Sequence, residues 1–172
     1  MTFTIRRFSN ATFFLFTLIL IFATAGLLVA HLHADKPFDA DSGTVLDNVF
    51  VEAYASTSWS APYASSHMDG FVMNNGGHRT KVYADFTTNI EGPLWNRPDK
   101  HKGGGGWVEI GERWSDNYNV SFNMSNRRAG SWMIWASTDI TVKADLNGDG
   151  DVGDANENAS KRAYACTRFS LR

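Results

Sequence analysis

Apolar and polar residues alternate with a period of two over most of the chain beyond residue 44. The clearest run sets Tyr118, Val120, Phe122 and Met124 against Asn119, Ser121, Asn123 and Ser125. One face is apolar and the other wet, the pattern of an antiparallel strand covering a core. Similar signals predict strands over 44–56, 78–90, 107–114, 131–144 and 162–171, with a weaker one over 59–73. In 131–144, Ile140, Val142 and Ala144 share one face, and Asp139, Thr141 and Lys143 the other.

Turn signals separate these runs: Asn74-Asn75-Gly76-Gly77, Glu91-Gly92-Pro93, and Ser125-Asn126 with Gly130 beyond. The four glycines Gly103, Gly104, Gly105 and Gly106 are expected to form a flexible hairpin loop. Short strands with Gly and Asn turns, and no amphipathic helix, predict an all-β antiparallel β-sandwich or jelly-roll-like domain.

The first stretch differs. Residues 11–30 are apolar apart from Thr12, Thr17, Thr24 and Gly26, and they follow Arg6 and Arg7. That pattern predicts an N-terminal hydrophobic signal peptide or signal-anchor helix within 1–34. Small residues favour cleavage, after Ala25 or after Ala34; the length of the run favours the alternative, an uncleaved anchor. Either way the chain from Asp35 onward is exported. Residues 35–43, with Pro37, Asp39, Asp41 and Ser42, read as a polar linker, and 44–172 as the sandwich domain.

Composition narrows the chemistry. The 172 residues carry a formal net charge of -2, without a Lys/Arg block large enough to grip phosphates, so nucleic acid is excluded as a partner. A membrane enters only through the N-terminal segment, if it is uncleaved. Cys166 is the single cysteine, so an intramolecular disulfide is excluded; it reads as a small buried apolar residue, with an intermolecular disulfide as the alternative. His31 and His33 fall where cleavage would remove them.

The most specific motif is Asp145-Leu146-Asn147-Gly148-Asp149-Gly150. Ca²⁺ takes six to eight oxygens at about 2.3–2.6 Å, and side chains on alternate residues converge when the backbone curls round the ion. Asp145, Asn147 and Asp149 offer side-chain oxygens, Asp151 a backbone carbonyl, and Asp154 and Asn156 close the loop. Without a cation, Asp145, Asp149, Asp151, Asp154 and Glu157 would repel one another in one short segment. The segment resembles the calcium loops of dockerin modules and EF-hands, most closely over its first half. In that register the twelfth place is Asn156, where dockerin loops accept Asp or Asn. A second loop and a following helix are missing, so the resemblance carries loop chemistry alone. The expectation is a calcium-loop hairpin at 145–157 joining the last two strands.

Six tryptophans raise glycan binding, since flat rings stack on sugar faces. Trp95, in the Pro-rich segment 92–98, is the first candidate, with Trp59 and Trp107 next. Catalytic signals are weak. Glu109 and Glu112 lie three apart on an expected strand and so face opposite sides. Ser65, His67 and Asp69 are near in sequence, which does not make a triad. Asn119, Asn123 and Asn158 begin N-glycosylation tripeptides. The sequence therefore reads as an exported non-catalytic β module stabilised by calcium, acting in cell-surface or matrix structure or in glycan binding, with glycans or copies of itself as partners. The alternatives are a small secreted glycan-active hydrolase and a secreted toxin or bacteriocin-like effector.

Overall fold

The computed structural model describes residues 35–93, 95–96, 99–154 and 156–172, with the backbone alone at 95–96. The signal or anchor helix expected within 1–34 lies outside the described residues. Asp35 to Arg172 forms one unit, whose described residues make nine strands in two antiparallel sheets. Among the described residues there is no helix, so the all-β expectation holds and the arrangement is β-sandwich-like.

The strands are β1 (Phe38–Val45), β2 (Val49–Ser60), β3 (Tyr63–Asn74), β4 (Thr80–Gly92), β5 (Trp95–Asn96), β6 (Lys100–Val108), β7 (Arg113–Asn123), β8 (Gly130–Ala144) and β9 (Asn158–Leu171). Sheet I runs β1-β2-β3-β7. Sheet II runs β4-β8-β9, with β5 and β6 both paired along the other side of β4.

Alternation decides which side chains go inside. Val49, Val51, Ala53 and Ala55 of β2, Met68 and Val72 of β3, and Val120 and Phe122 of β7 point inward from sheet I. Val82 and Phe86 of β4, Ile134, Ile140 and Val142 of β8, and Ala163, Ala165 and Phe169 of β9 meet them from sheet II. Hydroxyls pin the two layers from within. Thr57 and Thr167 lie 2.8 Å apart, and Thr138 Oγ1 donates to Tyr54 O at 2.6 Å.

Buried Asn74 ties one end together. Its Nδ2 donates to His78 O at 2.9 Å and Val108 O at 3.0 Å, and its Oδ1 accepts from Gly76 N–H at 3.0 Å. Its backbone holds the β6–β7 turn: Asn74 N–H donates to Glu112 O, and Gly111 N–H to Asn74 O.

Several local expectations change. The strand expected over 44–56 breaks at 46–48 between β1 and β2, and the weaker one over 59–73 breaks at 61–62 between β2 and β3. Residues 35–43 are not a linker, because β1 begins at Phe38 and pairs with β2 throughout. The glycines at 103–106 are not a hairpin loop but the middle of β6, laddered against Val82, Tyr83, Ala84 and Asp85 of β4. Pairing with a strand of regular pattern overrides the poor strand propensity of glycine. Finally, 107–114 is not one strand. It turns at Gly111, whose φ of +80° suits glycine, and this turn carries the chain from sheet II to sheet I.

Candidate functional site

The loop joining β8 to β9 carries the residues expected to ligate calcium, and its hydrogen bonds define what it can hold. Asp145 accepts Gly148 N–H through Oδ1 at 2.7 Å and Gly150 N–H through Oδ2 at 2.9 Å. Gly148 and Gly150 have φ of +78° and +88°, which lets the backbone fold back over Asp145. Asn147 Oδ1 accepts Asp149 N–H, Asp149 Oδ1 accepts Asp151 N–H, and Asp151 Oδ1 accepts Val152 N–H. The Asn147 amide nitrogen donates to Asp149 Oδ2 at 3.0 Å and to Asp154 Oδ2 at 3.1 Å, so two carboxylates converge on one donor.

Asn156 is exposed. The side chain that turns into the loop is its neighbour Glu157, which is fully buried. Glu157 Oε1 accepts Leu146 N–H at 3.0 Å and Asn147 N–H at 3.3 Å. Its other oxygen, Oε2, is buried with no hydrogen-bond partner. A buried acceptor without a donor is costly, so this oxygen calls for an explanation. A signal for it existed in the sequence: Glu157 continues the odd-numbered inward phase of Ala163, Ala165 and Phe169 in β9. Among the described residues, no three His, Cys, Asp or Glu side chains are gathered closely enough to form a metal-ligand cluster. What the loop brings together is Asp149 and Asp154 around Asn147, with Glu157 beneath.

The tryptophans separate. Trp59 is stacked on Phe169, with ring centroids 4.2 Å apart and planes 9° from parallel; it is half-buried and packed against the core. Trp95 lies in β5, paired with Gly92, and its side chain is outside the described residues. Trp107 is 45% exposed on the outer face of sheet II.

The outer face of sheet I holds two shallow depressions, of about 360 and 500 Å³, that meet at His67. Ser65, His67 and Asp69 alternate onto this one face of β3. His67 Nε2 contacts Asp69 Oδ2 at 2.6 Å and Nδ1 contacts Asn119 Oδ1 at 2.5 Å. Both imidazole nitrogens are thus taken, neither by a serine, so the group is not arranged to activate a hydroxyl. Glu109 and Glu112 sit exposed in the β6–β7 turn.

No family model matches the sequence, and no curated protein matches it. Among solved structures, a protein from Archaeoglobus fulgidus is similar at a TM-score of 0.36 and 9% identity. That match covers 81% of this chain and 98% of the other.

Proposed function

We propose that the chain is an exported, non-catalytic β module whose β8–β9 loop binds one Ca²⁺, and that it works outside the cytoplasm in surface structure or glycan binding. The observation that carries the calcium reading is Glu157 Oε2, buried under the loop with no donor. A cation above it would supply the missing partner and would also replace the Asn147 amide as the centre on which Asp149 and Asp154 converge. Export rests on the hydrophobic run at 11–30 behind Arg6 and Arg7. Millimolar extracellular calcium would fill even a weak site.

Native mass spectrometry and calorimetric titration of the full-length chain with CaCl₂ test this. One ion bound per chain, and a melting temperature lowered by EGTA, are expected. A protein that binds no calcium and melts identically with and without EGTA overturns the proposal.

A further inference from the structure

The end of sheet II around Trp107 collects cations that carboxylates do not neutralise. In strand register, Lys81 of β4 lies between Trp107 of β6 and Lys143 of β8. Like charges directly opposite each other on a sheet are destabilising, so the Lys81–Lys143 pair needs a reason. Arg79, just before β4, places its guanidinium 4.3 Å from the centre of the Trp107 ring. Lys81 Nζ stands 5.1 Å from the Tyr83 ring and 5.6 Å from the Trp107 ring; Lys143 Nζ stands 5.8 Å from Tyr83.

Elsewhere Lys36, Lys102, Lys161 and Arg162 each pair with an aspartate. Among the described residues, Arg79, Lys81 and Lys143 form no ion pair. Asp85, next after Tyr83 on the same face of β4, is engaged with Thr87 and His101. The acidic β8–β9 loop begins directly after Ala144, at the same end of β8; Asp145, Asp149, Asp151 and Asp154 accept hydrogen bonds within the loop, and none of them forms an ion pair with Lys81, Lys143 or Arg79.

Gly105 is the cross-strand neighbour of Tyr83, and Gly103 that of Asp85. At Gly105, whose φ is +142°, a Cβ would collide with Val82 O, so the backbone itself requires glycine there, and no side chain stands beside Tyr83 on the edge of the sheet. Tyr83 and Trp107 are 42% and 45% exposed. The result is a strip bearing two partly exposed rings, each with a cation set against it, and three cations without an ion pair.

We propose that this strip binds an acidic polysaccharide, its sugar rings lying on Trp107 and Tyr83 and its carboxylate or sulfate groups on Lys81, Lys143 and Arg79. Ammonium and guanidinium groups form charge-assisted hydrogen bonds to such anions, and an anion bridging Lys81 and Lys143 removes their repulsion. The inference rests on the glycan-binding arm of the proposed function and gives it a ligand class and a place. It is independent of the calcium loop.

The test is surface binding of the full-length chain to polygalacturonate and heparin, with dextran as neutral glycan and a single-stranded oligonucleotide and anionic vesicles as non-glycan polyanions. Binding to at least one acidic glycan over dextran is expected, weakening between about 0.1 and 1 M salt. Lys81→Gln/Lys143→Gln should weaken it about tenfold or more. Trp107→Ala should weaken it as well, while Trp59→Phe leaves it unchanged. Because the two lysines repel, the double variant should melt no lower than the parent, which separates lost binding from lost folding. Equal binding of dextran overturns the acidic preference and leaves glycan binding standing. No binding to any glycan overturns both. Oligonucleotide or vesicle binding that matches the acidic glycans and ignores Trp107→Ala overturns the assignment to a sugar ligand.

Discussion

The Asp39 carboxylate accepts the backbone N–H of Tyr164 at 2.9 Å, across 125 residues of sequence. It is one rung of a series. Arg162 N–H donates to Asp41, Cys166 N–H to Lys36 O, and Arg168 N–H to Asp35. Alternate N–H groups along the outer edge of β9 are therefore capped from the segment 35–41. Uncapped, that edge would template pairing with another chain.

Asp39→Ala should remove about 1 kcal/mol of stability and expose part of the β9 edge. Thermal melting and light scattering check this; greater self-association than the parent is the expected outcome. Asp39 also sets a pH dependence. Burial pushes its pKa up, but the Lys36 ammonium and the Tyr164 N–H outweigh this and hold it below the usual 3.8. Its contribution is present above the unfolded value and is lost as pH falls through the lower folded value. Acid melting of the parent below about pH 3.8 should thus contain a component that Asp39→Asn lacks.

Asn74→Ala should be far more damaging than a surface change. It strips the donors from His78 O and Val108 O and the acceptor from Gly76 N–H, all at the point where β3, β4 and the β6–β7 turn meet. A loss on the order of 3 kcal/mol in urea unfolding is expected. A loss under about 0.5 kcal/mol, the range of surface substitutions, would rule out Asn74 as the tie.

How much of this was legible follows from which face each residue serves. The strands at 118–124 and 131–144 were readable because one side of each is apolar and the other wet; 118–123 lies inside β7 and 131–144 inside β8. β1 was not readable: it carries Asp39 and Asp41, which serve as acceptors for β9 where a core strand would carry apolar groups. β6 was hidden because four glycines have no period at all. In the loop, EF-hand numbering drew attention to Asn156, whereas the phase of β9 selects Glu157.

Trp59 and Trp107 looked alike in sequence and should behave differently. Trp59→Ala empties the stack on Phe169 and should cost about 3 kcal/mol. Trp107→Ala, on an exposed ring, should cost less than about 1 kcal/mol. Chemical denaturation of the two variants side by side checks the contrast; equal losses would contradict the packing of Trp59 against the core.

Tyr164 offers a spectroscopic marker. Burial chiefly, with Cys166 and Glu91 adding to it, pushes its phenol up to about 12. It lies beside Trp135, whose Nε1 donates to Glu91 at 3.0 Å. The folded phenol stays neutral while an unfolded one ionises near 10, so this contribution to stability is full below pH 10 and is lost as pH rises toward 12. Absorbance titration should show one tyrosine ionising late, and Tyr164→Phe should remove that late step.

Glu157→Gln separates the calcium reading from a purely structural one. Without calcium the parent holds a buried carboxylate with one oxygen unmatched, so the amide variant should be as stable as the parent or more so. With calcium at about a hundredfold its dissociation constant, the parent should gain about 2.7 kcal/mol by mass action. The variant, lacking the buried anionic ligand, should gain much less. The order of the two melting temperatures should therefore invert, or a tie open, between EGTA and calcium. A parent whose melting point ignores calcium would leave Glu157 as a strained structural residue with no ion to explain it.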